Sequence, residues 1–232
     1  MGTHSGRTAV VTGAARGIGQ AICARLAERG ATVAGIDIAD LAETEALVKK
    51  AGAGWIGARA ANEIGHADIL VNNAGIYGNV PWDELDWDTW RRYHHVNIDS
   101  HYWMCKAFVP SMKARGWGRI VNITSDSIQV GNTGAVAYKA TKMAVIGFTR
   151  GLAGELAPYG ITVNAASPSL TGTPGVLERF GEERWQAIAK RQLIKRPAVA
   201  DDVTGLVLFL TSEDAHFVTG QTMFADGGLA FL

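Results

Sequence analysis

Short apolar runs alternate with longer stretches of helical spacing along the whole chain. Thr8-Ala9-Val10-Val11 is a β-type run ending in Thr12-Gly13, Ala14 to Gly19 reads as a turn, and Gln20 to Arg29 carries Ile22, Leu26 and Ala27 at helical spacing. Gly30 stops that helix, and Thr32 to Ile36 predicts a second strand ending at Asp37. Further strands are predicted at Ile69-Leu70-Val71, Arg119 to Ile123 and Ile161 to Asn164, with a late one at Thr222 to Ala225 before Asp226-Gly227-Gly228. Helical stretches over Trp87 to Lys113, Ala135 to Leu156 and Asp201 to Leu210 separate them. The strands are apolar without strict alternation, which is the pattern of a parallel sheet covered on both faces. No Pro/Ser-rich linker, repeat or low-complexity segment divides the chain, so residues 1–232 read as one α/β domain.

Composition changes this picture little. A hydrophobic share of 47% is ample for a core of this size, and no run approaches the length that spans a bilayer. Basic and acidic residues balance at 22 each, which removes any electrostatic argument for nucleic acid or an anionic membrane surface. Met1 to Arg7 is polar and carries no apolar signal segment, so the cytoplasm is the expected location. Cys23 and Cys105 lie far apart in apolar helical stretches and read as small core residues rather than a disulfide or thiol site.

One interval breaks the regular alternation. Only about ten residues separate an apparent third strand, Trp55 to Ala58, from the strand at Ile69. In the strand order 3-2-1-4 the chain must cross about three strand spacings of ~4.8 Å and return along ~17 Å, while climbing over one face of the sheet. Ten residues of at most ~3.3 Å each manage that only nearly taut and without a helix. Either Trp55 to Ala58 is not a regular strand, or a segment within Ala58 to Asn62 has been lost. The expectation is that residues 51–66 are irregular or discontinuous.

The candidate chemistry sits where strands end. Thr12-Gly13-Ala14-Ala15-Arg16-Gly17-Ile18-Gly19 lies at a strand-to-helix turn, where glycines let the backbone approach a pyrophosphate on the helix N-terminus. Asp37 ends the second strand 18 residues after Gly19, where a carboxylate accepts bonds from the adenosine ribose and repels a 2′-phosphate. Ile38 offers no cation for such a phosphate, whereas Arg16 could; NAD is favoured over NADP. Asn72-Asn73-Ala74-Gly75 ends another strand with small residues that leave room for a ligand. Tyr138 and Lys142, four apart, share one helix face, and an adjacent ammonium lowers a phenol pKa from its ordinary ~10. Ser125 lies just beyond the strand at Arg119 to Ile123, and Asn97 is an amide in an otherwise apolar helical stretch. His94 and His95 point to different faces, and His101 with Cys105 lacks further ligands, so no metal site is expected.

Together these residues resemble the short-chain dehydrogenase/reductase family. The resemblance runs from Thr8 to Gly228 and rests on Thr-Gly-x3-Gly-x-Gly at 12–19, Asn-Asn-Ala-Gly at 72–75, Asn97, Ser125 and, 13 residues later, Tyr138-Lys-Ala-Thr-Lys142. Val218-Thr219-Gly220-Gln221 and Asp226-Gly227-Gly228 are typical of the family's C-terminal end. Phe108 to Ser125 is similar to NAD-dependent dehydrogenases of aromatic secondary alcohols such as 1-phenylethanol, and a pyridoxal 4-dehydrogenase-like enzyme is similar almost as closely. Pro168-Ser169 departs from the family's Pro-Gly but leaves Thr173 in register.

The resemblance implies a Rossmann-type doubly wound sheet with a shortened third crossover and a substrate lid around residues 170–195. It implies Tyr138 as general acid/base, Lys142 as the group that lowers its pKa and holds the nicotinamide ribose, and Ser125 as donor to the reacting oxygen. Asn97 would bind a water relaying protons through Lys142. Gly13, Arg16, Gly17, Ile18, Gly19, Asp37, Asn73, Ala74, Gly75, Pro168 and Thr173 would hold NAD, with Thr173 on the carboxamide. Hydride transfer between an alcohol or ketone and the cofactor needs no metal. Tyr77, Trp82, Leu177, Phe180 and Trp185 are candidate pocket walls, favouring an apolar or aromatic substrate. The family's usual homodimer or homotetramer would form through the helices holding Asn97 and Tyr138. Two alternatives stay open: an NADPH-dependent 3-oxoacyl reductase, and a cofactor-binding sensor without turnover.

Overall fold

In the computed structural model, which describes residues 2–231, the first strand β1 (Thr8–Thr12) leads into α1 (Gly17–Glu28), followed by β2 (Thr32–Ile36) and α2 (Ala42–Lys50). Next come β3 (Trp55–Ala58), β4 (Ile69–Asn72), α3 (Trp87–His94), α4 (Ser100–Arg115), β5 (Gly118–Ile123) and α5 (Val136–Leu156). β6 (Ile161–Pro168), α6 (Pro174–Arg191), α7 (Asp201–Thr211) and β7 (Thr222–Ala225) complete the chain. The seven strands form one parallel sheet in the order β3-β2-β1-β4-β5-β6-β7, the doubly wound arrangement expected. The order in which successive strands are added reverses between β1 and β4, and that switch point opens a crevice at the carboxyl ends of the strands.

The absence of alternation in the strands has a direct cause. Ala9, Val11, Ile69, Val71, Val121 and Ile123 pack on one face with Ile22, Leu26, Val203 and Val207 from α1 and α7. Val10, Leu70, Ile120 and Val163 point to the other face, with Phe108, Met112 and Leu156 from α4 and α5. Both faces are covered, so successive residues are apolar although their side chains still alternate. Cys23 and Cys105 are free and buried in these two layers.

The interval after β2 corrects one expectation and upholds another. Trp55–Ala58 is a regular strand, in register with β2 from Val33↔Trp55 to Ile36↔Ala58, so it is not irregular. No three-turn helix follows it: the connection to β4 holds a single 3-10 turn at Ala61–Glu63. Glu63 closes that turn by accepting from the Arg59 and Ala60 backbone N–H groups at 3.2 and 2.8 Å. Ile64 and Ala67 are buried against Val10, Ala34 and Ala58. Both side chains pack the connection directly against the sheet, so the climb that a helix needs is avoided.

Two helices escaped the sequence pattern. α2 buries only Thr44 and Val48, too few positions to announce a helix. α6 is broken at Gly181, whose φ of 76° and ψ of 161° interrupt its periodicity. The stretch predicted as one helix from Trp87 is also divided, since residues His95–Asp99 wind as a π-helix between α3 and α4. Such wide turns occur mostly where a side chain has a task, and Asn97 lies at the centre of this one.

Candidate active site

A cleft of about 920 Å³ runs along the carboxyl ends of the strands. Gly13, Arg16, Gly17, Ile18, Asp37, Asn73, Ala74, Gly75, Ser125, Tyr138, Lys142, Pro168 and Thr173 all line it, which brings together all but two of the catalytic and cofactor candidates. The exceptions, Gly19 and Asn97, are buried behind its wall. Trp82, Leu177 and Trp185 do not line it. Trp82 is 71% exposed, and Trp185 donates its indole N–H to Ala198 O at 2.8 Å beneath Gly172. Tyr77 and Phe180 do form a wall, their rings stacked with centroids 5.9 Å apart.

The floor at the α1 end is a knot of backbone contacts. Thr12 Oγ1 accepts from the Asn73 and Ala74 N–H groups at 3.0 Å each, while Asn73 Nδ2 donates to Thr12 O and Gly13 O at 2.9 and 3.2 Å. The Asn-Asn-Ala-Gly run thus ties β4 to β1 before it touches any ligand. Gly13, with φ of 65°, lies so near Ala74 Cα that a Cβ would come within 2.9 Å. No side chain caps the N-terminus of α1, so its first N–H groups remain available to an anion at the cleft. Asp37 accepts from Ala15 N and Ala39 N at 2.9 Å each. A free helix N-terminus, a close-packed glycine turn and a fixed carboxylate fit a dinucleotide.

The catalytic candidates meet where β5 ends against the start of α5. Lys142 is buried and donates to Ile123 O at 2.8 Å, with Nζ 5.8 Å from the centre of the Tyr138 ring. Burial pushes the Tyr138 phenol up to about 12, although hydrogen bonding with Ser125 pulls the other way. Burial pushes Lys142 down to about 8. The expected lowering of Tyr138 by Lys142 is therefore not seen in the protein alone. Desolvation outweighs it, because the phenolate loses water while the ammonium is committed to a carbonyl.

Asn97 is fully buried and does a mechanical job. Its Nδ2 donates to Ile76 O at 2.9 Å and to Thr141 Oγ1 at 3.1 Å, and its Oδ1 accepts from Ile76 N at 2.8 Å. It thereby fixes the loop after β4 against α5. A Cβ on Gly75 would lie 3.3 Å from Asn97 Oδ1 and 3.5 Å from Lys142 Nζ, so the bare glycine lets both polar groups approach one point. His101, one turn on, is held neutral by burial and by nearby Lys142, its pKa pushed down to about 3. Cys105 accepts only from Asn72 Nδ2 at 3.8 Å. Among the described residues no group of metal-ligand type gathers.

Two cleft residues were missed. Arg59 follows β3 and lines the cleft beside Asp37, a position that becomes legible once β3 is regular. Asp126, next to Ser125, is 6% exposed with Oδ2 unpartnered. Burial, reinforced by Asp226, pushes its carboxyl up to about 7. An acid whose pKa is raised in the folded state binds more protons folded than unfolded, so stability falls as pH rises from its ordinary value near 4 to about 7. Asp126→Asn should therefore raise stability by about 1–3 kcal/mol at pH 8 and by almost nothing near pH 4. Paired melts at the two pH values check this; an equal gain at both would sink it.

A family model described as enoyl-(acyl carrier protein) reductase matches residues 13–230. The chain is 35% identical to a 3-oxoacyl-[acyl-carrier-protein] reductase of Haemophilus influenzae, over 97% of this chain and 98% of that one. That comparison spans 247 positions against 232 residues here, so the relative carries at least 15 residues without a counterpart. A solved structure from Beutenbergia cavernae, with NADP bound at low occupancy, is similar with a TM-score of 0.91 at 36% identity, covering 97% of both chains. Carveol dehydrogenase of Mycobacterium avium in complex with NAD matches with a TM-score of 0.90 at 28% identity, covering 99% of both chains.

Proposed function

The chain belongs to the short-chain dehydrogenase/reductase family, and from that premise we propose that it interconverts a secondary alcohol and a ketone with NAD, on an apolar or aromatic substrate. The observation that carries the reading is the convergence of Ser125, Tyr138 and Lys142 in the same cleft as Asp37 and the uncapped end of α1. Ile76, Tyr77, Val130, Phe180, Ile188 and Leu229 supply the apolar wall.

In this reading Asp37 accepts from the adenosine ribose, while Gly13, Arg16, Gly17 and Ile18 present the turn and helix end to the pyrophosphate. Gly19 keeps that turn against α1. Asn73, Ala74, Gly75, Pro168 and Thr173 line the path to the nicotinamide end, with Thr173 on the carboxamide and Lys142 on the ribose. Bound nicotinamide supplies the hydride acceptor or donor. Ser125 holds the reacting oxygen, and the Tyr138 hydroxyl gives or takes its proton. A phenol held near 12 stays protonated at neutral pH, which suits donation to a carbonyl; oxidation requires added positive charge beside it. Asn97 and Lys142 meet at Gly75, where a shared water would connect them to solvent.

A panel of aryl alcohols, sugar alcohols and 3-oxoacyl esters, followed by nicotinamide absorbance in both directions with NAD and NADP, tests the reading. Turnover confined to 3-oxoacyl esters with NADPH would replace it. Arg184 and Arg191 at the cleft mouth and the Haemophilus relative favour that second reading.

Among the described residues no helix is long and apolar enough to cross a membrane. α4 and α5 expose Tyr102, Trp103, Val136 and Met143, an apolar face suited to a second copy. Light scattering should report the mass of two or four chains; a single-chain mass at micromolar concentration would count against this.

A further inference from the structure

The carboxyl ends of β1, β2 and β3 stand side by side. Thr12 pairs with Ile36, and Ile36 pairs with Ala58, so one step further along each strand sets Gly13, Asp37 and Arg59 level across the sheet. Neighbouring strands are about 4.8 Å apart, which puts Arg59 next to the carboxylate that faces the ribose in the reading above. Both residues line the cleft, together with Ile38 and Ala39.

The guanidinium of Arg59 is positioned but not neutralised. Its Nη1 donates to Ile38 O at 2.7 Å, and it forms no ion pair with a carboxylate of the described residues. Glu63, the nearest acid in sequence, spends its Oε1 on the Arg59 and Ala60 backbone N–H groups. That bond pins the strand end and leaves the remaining guanidinium N–H groups unpaired. Asp37, by contrast, already has a backbone N–H on each oxygen. Arg16, the cation that the sequence offered for NADP, faces elsewhere: a Cβ on Gly175 would lie 3.5 Å from its Nη2, against the start of α6.

We infer that Arg59 is the specificity-determining cation at the adenosine end of the cleft, pairing with a ribose 2′-phosphate so that NADP is accepted as well as NAD despite Asp37. Planar guanidinium donors match phosphate oxygens, and the pair forms at a rim where Asp37 alone would repel the dianion. The shortened crossover contributes directly. With only a 3-10 turn after β3, Arg59 stays at the strand end instead of leading into a helix.

This inference rests on the dinucleotide reading, and a binding experiment separates the two. Calorimetric titrations of the full chain and of Arg59→Gln use NAD, NADP, 5′-AMP and 2′,5′-ADP, with Arg59→Lys as the charge-retaining control. Wild type should bind NADP within about tenfold of NAD. Arg59→Gln should weaken NADP and 2′,5′-ADP about tenfold while moving NAD and 5′-AMP less than twofold, and Arg59→Lys should recover part of the loss. Equal losses for all four ligands would reduce Arg59 to a packing surface for adenosine and overturn the inference. Unchanged NADP affinity in Arg59→Gln, or wild type binding NAD but rejecting NADP, would overturn it while leaving the dinucleotide reading intact. Wild type binding none of the four would remove both.

Discussion

Tyr138→Phe should lower turnover by about a thousandfold or more in both directions while leaving dinucleotide affinity within about threefold. The substitution removes one oxygen and keeps the ring, so the packing of α5 around Ala137, Thr141 and Lys142 is preserved. What it removes is the hydroxyl that hydrogen-bonds with Ser125 and lies beside Lys142 at the end of β5. Lys142 cannot take over, because its Nζ donates to Ile123 O at 2.8 Å and lies 5.8 Å from the centre of the Tyr138 ring. Steady-state rates and calorimetric cofactor binding on the same preparation check the split. Loss of binding together with turnover would show that Tyr138 is structural. Full turnover would dismiss the assigned acid/base, and an unaltered cofactor-dependent output without turnover would favour the sensor reading.

Gly19→Ala carries the second large effect, although Gly19 never reaches the cleft. A Cβ there would overlap Gly13 O and sit 2.6 Å from Asn73 Nδ2. The added methyl meets backbone on one side and, on the other, the amide that ties β4 to β1, so neither neighbour yields easily. α1 must move away from the turn, separating its free N-terminus from the pyrophosphate position. The expected cost is about 1–3 kcal/mol of stability and about a tenfold or greater loss of dinucleotide affinity. Melting curves with and without NAD separate the two contributions. An unchanged melting temperature and an unchanged affinity would mean that the close approach has no energetic consequence.

Much of the cofactor end was legible because its chemistry is local. The strand at Thr8, the glycine turn and the helix after it occupy consecutive residues, and each glycine stands where the backbone needs room. Tyr138 and Lys142 were legible for the same reason, being one helical turn apart. Asn97 was legible only as an anomaly, a buried amide in an apolar stretch. Its partners, Ile76 and Thr141, lie 21 and 44 residues away, so nothing nearby in sequence announced that it pins a loop. The aromatic residues misled. Trp82 and Trp185 were as plausible for the pocket as Tyr77 and Phe180, since composition does not say which way a loop turns.

The sequence by itself determined the α/β class, most of the strands and the glycine turn, because periodicity and short-range spacing encode them, and it offered the candidates for catalysis through the family resemblance. Only the tertiary structure decided the rest. It showed that ten residues cross the sheet with β3 intact, because a single 3-10 turn replaces the helix and Ile64 and Ala67 pack straight onto the sheet. It reversed the expected pKa shift of Tyr138, since burial depends on elements far apart in the chain. It also set Arg59, rather than Arg16, level with Asp37 across the sheet. Parallel strand register makes Asp37 and Arg59 neighbours across 21 intervening positions, a proximity that pairing in the sheet creates and sequence spacing does not.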